Sequence, residues 1–351
     1  MGMREIVVAP NPSHTELFAA DELARYLERM IDEEIRIVKN PSKRGEGRIY
    51  IGSAAPIEDP SLIREVNSLG EEGFLIRGKD GKLFIVGGGD RGTLYGAYHL
   101  LWMLGARWYF PSPDGEYIPS LQTLDLEGLE VREEPEFTRR GIVIHRSNTA
   151  FMSWLNFAPK VKLNTISLHS LDGIEEMEDL TEDSGLQFGL KIHFYEEVIS
   201  LDQREIDRNR RRTRALLEIL PEGISELHLW PADDVLKPAP GQERYPIQDL
   251  ALAFTNEMAG FLREIKRDYR MAFLAYWSTW AVPRGIRPAE GVFLEMAPIH
   301  RSFSHPIDAP FGTRNGDSVG HIVEELLEVF DPAEAQVLGY WLDSSLFGRS
   351  R

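Results

Sequence analysis

An α/β chain is predicted, with a small N-terminal α/β domain over residues 1–135 and a (β/α) TIM-like barrel of seven recognisable strands over 136–351. Three observations predict it. In the first third, short apolar runs alternate with helical stripes of apolar residues. Asp80-Gly81 sits between two such runs, where a tight hairpin needs that pair. Beyond residue 136, seven short apolar runs recur, each closing on a polar or aromatic cluster. Helical patterns separate several of them, and strands alternating with helices make a parallel sheet.

The elements follow in order. Ile6-Val7-Val8 reads as a buried strand. Ser13 then opens a helix to about Met30, whose stripe is Leu17, Ala20, Leu23, Ala24, Leu27 and Met30. Residues 34–38 and 48–52 are strand-like, and 72–76 and 83–86 flank the Asp80-Gly81 turn. A helix from about Arg91 to Leu104 stops at Gly105. The Pro- and acid-rich stretch 111–135 holds one expected strand, 121–126, and leads to a boundary near Glu136. In the second domain the strands are 141–145, 163–169, 190–193, 227–230, 272–276, 292–295 and 337–340. Helices are expected over 204–220, 247–269 and 319–330. An eighth unit is expected after the seventh strand, so either the barrel is incomplete, with a sheet edge for a second copy of the chain to cover, or the chain is a fragment.

Charge narrows the partners. Against 39 basic side chains stand 56 acidic ones, a net charge of −17. That surface repels phosphate backbones and anionic lipid, so neither nucleic acid nor membrane is an expected partner. The basic run Arg208 to Arg214 falls in a helical pattern and reads as a solvated helix face. There is no cysteine, hence no disulfide or thiolate chemistry. The first ten residues have no long apolar core, and no apolar stretch approaches the roughly 20 residues that span a bilayer. A cytoplasmic location is the expectation.

In a parallel barrel the functional groups gather where the strands end, and the unusual residues of this sequence sit there. They include His145-Arg146, His169, His193, Trp230 with Asp233-Asp234, Tyr276-Trp277, Glu295, His300-Arg301 and Tyr340-Trp341 with Asp343. Aromatic faces beside carboxylates suit a sugar, which offers C–H faces to stack on and hydroxyls to bond. Cleaving a glycosidic bond needs one protonated carboxyl and a second carboxylate as base or nucleophile. Asp234, with Asp233 beside it to repel its charge, is the candidate acid; Glu295 and Asp343 are the candidate bases or nucleophiles. His145, Arg146, His169, Trp230, Tyr276, Trp277, His300, Arg301 and Trp341 are expected to line the sugar site. No cofactor and no metal are expected.

Two alternatives stand beside this reading. One is a carbohydrate-binding protein that keeps the cleft without a working carboxyl pair. The weaker one is a metal-dependent hydrolase built on His145, His169 and His193, although no His-x-His or HExxH spacing supports it. Gly87 to Gly92 matches G-x-G-x-x-G between a strand and a helix, as a dinucleotide site would. The strand before it belongs to a hairpin, and no acidic strand end follows about 20 residues on. A tight turn into a helix is the preferred reading.

Residues 85–111, IVGGGDRGTLYGAYHLLWMLGARWYFP, with FAADELARYLERM and IYIG before them, resemble the small domain that precedes the barrel in bacterial α-glucuronidases and β-hexosaminidases. The pieces KLNTISLH, LHLWPADD, LAFTNEMA, FLAYWSTWAVP, HRSFSHPID and LGYWLDSSLF resemble the barrel region called domain of unknown function 4838. The resemblance implies a glycoside hydrolase-like protein acting on a carbohydrate, with glucuronides or N-acetylhexosaminides as substrates. It departs at one place: the hexosaminidase Asp-Glu pair after the fourth strand is Asp233-Asp234 here, and the strand-four Glu of α-glucuronidases is absent as well.

Overall fold

The computed structural model describes residues 4–39, 47–124, 126–144, 148–172, 174, 185–221, 224–265, 269–299, 301, 305–309 and 319–340. Its backbone contacts divide the chain into two compact units, Met1–Ser167 with Asp172–Phe188, and Leu168–Leu171 with Gly189–Arg351.

The first unit opens with β1 (Glu5–Val7), α1 (His14–Ile31), β2 (Arg36–Val38), β3 (Arg48–Ile51), α2 (Ala54–Glu58) and α3 (Ile63–Val66). Then come β4 (Phe74–Lys79), β5 (Lys82–Gly87), α4 (Asp90–Met103), β6 (Arg107–Trp108), β7 (Glu116–Tyr117), β8 (Glu130–Glu133), β9 (Gly141–Ile144) and α5 (Asn148–Phe157). Six strands form one sheet in the order β2-β1-β3-β5-β4-β8, parallel from β2 to β5 and antiparallel beyond. Helix α1 starts where the sequence places it. The Ser13 hydroxyl accepts the Glu16 N–H at 3.1 Å and the Glu16 carboxylate accepts the Ser13 N–H at 3.1 Å, a reciprocal cap on two orphan donors. Its buried stripe meets α4 and one face of the sheet, around Tyr26, Leu27, Tyr98 and Ile85. Asp80 and Gly81, at φ 53° and 70°, close the β4–β5 hairpin with the positive angles that a two-residue turn demands.

One expectation changes here. The described residues of 121–126 lie in no strand; Leu121 instead donates its N–H to the Met30 carbonyl at the end of α1, and Leu126 fills the core. The strand is β8, pairing Phe74↔Glu133 through Arg77↔Glu130 at the sheet edge. With Val131 its one apolar residue, it carries no alternation to read. The Gly87–Gly92 turn is closed by residues 69–73: a Cβ at Gly88 would lie 2.3 Å from the Gly70 carbonyl oxygen, and one at Gly92 2.2 Å from that of Gly73. The N–H groups of Gly88 and Gly92 bond to the Gly73 and Glu71 carbonyls. The glycines answer to a neighbouring loop, and the turn has no room for a phosphate.

The strands after β9 are β10 (Thr165–Leu168), β11 (Gln187–His193), β12 (Val198–Ile199), β13 (Ile224–Trp230), β14 (Lys237–Pro238), β15 (Met271–Ala275), β16 (Val292–Met296) and β17 (Gln336–Val337). The helices among them are α6 (Gln203–Leu217), α7 (Ile247–Ile265) and α8 (Val319–Leu327). One sheet runs β13-β11-β10-β9 and another β15-β16-β17, the latter parallel throughout. β13 packs beside β15. All seven expected strands therefore exist, and they neighbour one another in chain order, the winding of a barrel rather than of a doubly wound sheet. The seventh is shorter than expected, and Tyr340 lies beyond it. The pair β12–β14, two residues each, carries no sequence signal.

Period-two alternation sorts the side chains. Leu294 and Met296 on β16 and Phe273 and Ala275 on β15 face the helices, packing with Leu252, Leu326 and Phe330. Glu295 and Leu274 point the other way and pair across the two strands. Helix α6 turns its arginines outward, as expected. Arg208 pairs with Glu205, Arg212 with Glu196 and Arg210 with Glu257, while Arg210 and Arg214 lie over the Phe261 ring. Among the described residues no helix is long and apolar enough to cross a membrane.

Candidate functional site

Two successive layers of side chains meet at the carboxyl ends of the strands in the second unit. The inner layer comes from Lys191 on β11, His228 on β13 and Glu295 on β16, with Gln336 on β17 opposite Glu295. Glu295 has no exposed surface, His228 is 1% exposed and Lys191 is 7% exposed. One Glu295 oxygen accepts from Lys191 Nζ at 2.7 Å; the other accepts from His228 Nδ1 at 2.6 Å and from Trp230 Nε1 at 2.8 Å. Burial alone would raise the Glu295 pKa, but His228 and Lys191 outweigh it and hold the carboxyl below its ordinary range. The group is an ionised acid enclosed by donors.

Two positions further along each strand lies the outer layer. His193 follows Lys191, Trp230 follows His228, and His169 comes directly after β10. Their ring centroids lie 5.4 Å (His169–His193), 5.6 Å (His169–Trp230) and 5.3 Å (His193–Trp230) apart. His169 Nδ1 bonds to the Lys191 carbonyl and His193 Nδ1 to the Pro231 carbonyl, each at 2.6 Å. A carbonyl oxygen only accepts, so both imidazoles donate from Nδ1, and in the neutral ring Nε2 is left as the acceptor. Trp230 itself is buried and belongs to one apolar cluster with Leu274, Ala297, Tyr276, Leu338 and Tyr340. Ends of β10, β11, β13, β15, β16 and β17 thus contribute to one cluster.

Above that cluster the rim opens to solvent. Tyr276 donates its hydroxyl to Asp233 Oδ1 at 3.0 Å, and Leu236 N–H donates to Ser278 Oγ at 2.9 Å, so the loops after β13 and β15 are tied together. Trp277 stands edge-on to Tyr276 with ring centroids 5.9 Å apart and is 40% exposed. Its φ of +42° lies in the left-handed region, where a side chain other than glycine's is strained. Asp234 is exposed, and its Oδ1 accepts the Val235 N–H at 2.6 Å.

The residues expected from sequence therefore divide into groups. His169, Trp230, Tyr276, Trp277 and Asp233 come together with His193, and Asp234 adjoins them. Glu295 lies beneath them. A base or nucleophile needs an oxygen open to substrate, and both Glu295 oxygens face protein donors in the interior. Arg301 is half-buried in the turn after β16, its N–H on the Pro298 carbonyl. His145, Arg146, His300, Trp341 and Asp343 lie outside the described residues. Among the described residues no group of three His, Cys, Asp or Glu side chains is placed to hold a metal ion. Sequence reasoning passed over Lys191 and His228. Their signal was present in LKIH and LHLW, where a charged or polar residue stands two positions before each strand-end ring.

Comparison with known proteins bears on the fold. Residues 2–100 match the family model of the glycosyl hydrolase family 67 N-terminus. Among solved structures, a family GH115 4-O-methyl-α-glucuronidase with specificity for decorated arabinogalactans matches with a TM-score of 0.60 and 13% identity. The match covers 96% of this chain and 54% of that one, so the chain spans about half the length of its structural neighbour. No curated protein matches it in sequence. The N-terminal residues are similar to a glycoside hydrolase N-terminal domain, and the chain as a whole has a glycoside hydrolase-like fold.

Proposed function

We propose that this protein hydrolyses a glycosidic bond at the strand-end rim of residues 136–351, with carboxylate acid/base chemistry and a glucuronide as the substrate class. The rim carries the reading: an exposed indole in a strained conformation, a tyrosine bonded to an acid, and two imidazoles of fixed tautomer meet at the ends of neighbouring strands. Backbone strain of this kind persists where the surrounding structure enforces it, and it clusters at ligand sites. Trp277 is the platform for a sugar face. His169, His193 and Tyr276 bond its hydroxyls, and Asp234, with Asp233, is the acid. The neighbouring structure's description as a 4-O-methyl-α-glucuronidase favours glucuronides over N-acetylhexosaminides.

A panel of 4-nitrophenyl glycosides that includes glucuronides and N-acetylhexosaminides tests the proposal. Turnover of a glucuronide by the wild type is expected, with Asp234→Asn or Asp233→Asn lowering kcat by 10²-fold or more, in the range of a lost general acid. Turnover that neither substitution changes removes Asp233 and Asp234 from the mechanism. A second reading, a sugar-binding protein without turnover, is favoured by one observation: with Glu295 enclosed, the described carboxyls of the rim are two neighbours on one loop. Calorimetric binding of a glucuronide that the protein never cleaves would select it.

A further inference from the structure

We propose that Glu295 is a positioning residue, which orients the rim through Trp230 rather than touching substrate. The proposal rests on the carbohydrate site described above and assigns a role to the charge beneath it. Glu295 is the hub of the inner layer: it accepts from Lys191, His228 and Trp230, so one carboxylate joins β11, β13 and β16. Trp230 is the keystone of the outer layer. Its N–H is anchored on Glu295, while its ring lies against those of His169 and His193 and shares an apolar cluster with Tyr276.

The coupling has a second branch. Lys191 gives its Nζ to Glu295 and its carbonyl to the His169 ring, so the residue that neutralises the acid also fixes an imidazole of the rim. An indole has a single donor, and a buried donor without an acceptor is costly. The Glu295 oxygen therefore selects one orientation of the Trp230 ring from those that the cavity would hold. His169, His193 and Tyr276 inherit that orientation by contact. A sequence reader sees a strand-six carboxylate and expects catalysis; the same carboxylate placed one layer too deep performs support.

The test uses the full chain labelled with ¹⁵N-tryptophan, the Trp230 indole signal being assigned by its loss in Trp230→Phe. In Glu295→Gln the Trp230 indole N–H signal is expected to move upfield, because a charged acceptor becomes a neutral one. Affinity for glucuronic acid, followed in the same spectra, is expected to weaken by roughly tenfold, the worth of one hydrogen bond to a charged group. Trp230→Phe should weaken it similarly, and the double variant no further. An unmoved Trp230 signal, or losses that multiply in the double variant, would overturn the proposal. So would a Glu295→Gln variant that loses turnover while the indole signal and the affinity stay at wild-type values, since the acid would then be acting on the bond itself. If Glu295→Gln does not fold, Glu295→Asp withdraws the oxygen and keeps the charge; the indole signal must still move. Absence of sugar binding by the wild type would remove the glycosidase reading, while the indole shift would still decide whether Glu295 anchors Trp230.

Discussion

Glu295 and Trp277 represent opposite ways of spending stability. Glu295 keeps its charge in the interior because Lys191, His228 and Trp230 surround it. Its folded pKa lies below the 4.5 of a free glutamate. The unfolded chain therefore takes up that proton first as pH falls, and the stability Glu295 contributes is present above about pH 4.5 and drains away below it. Glu295→Ala leaves Lys191 and His228 without their shared anion and is expected to cost about 3–5 kcal/mol. Urea unfolding of both proteins at neutral and acid pH checks this, the gap between them narrowing as the acid range is entered. Trp277 holds a φ of +42° that glycine would adopt freely. Trp277→Gly should keep stability within about 1 kcal/mol of wild type, relief of strain offsetting lost chain stiffness. The same change should weaken glucuronide binding about tenfold in calorimetry, the scale of one aromatic stacking contact. At this scale the sequence showed which side chains were unusual. It did not show depth: Glu295 and Trp230 stand at strand ends with equal prominence, and only the way the strands are set side by side puts Glu295 level with Lys191 and His228 and Trp230 one layer further along.

Elements with their own local code were legible. Ser13 announces α1, Asp80-Gly81 announces the β4–β5 hairpin, and Gly105 at φ 103° marks the end of α4. Ser13→Ala removes the cap and is expected to lower stability by about 1 kcal/mol, read as a shift of the thermal midpoint. Glu16 makes that position dearer than an ordinary cap, because its carboxylate also accepts from Ser53. Elements whose partners supply their reason were not legible. β8 exists because β4 offers an open edge, and the ion pair of Glu130 with Arg77 holds it there. The β12–β14 pair is two residues long, too short for any periodicity. The glycine-rich turn was legible as a tight turn, but the neighbouring loop that requires its glycines, residues 69–73, was not.

Across the molecule, the rhythm of short apolar runs was enough for the fold, because chain order and spatial order agree in barrel-like winding: β9, β10, β11 and β13 adjoin in sequence, as do β15, β16 and β17. That agreement is what lets residues from 169 to 340 meet in one cluster. Its chemistry follows from the stacking of layers, an ionised acid below, aromatic rings across it and open carboxyls above. The most direct test of the whole account is a crystal structure of the protein soaked with glucuronic acid. The sugar is expected against Trp277 and Tyr276, with a hydroxyl within hydrogen-bond reach of Asp233 and Trp230 still bonded to Glu295 beneath. A sugar seated elsewhere, or in direct contact with Glu295, would contradict it.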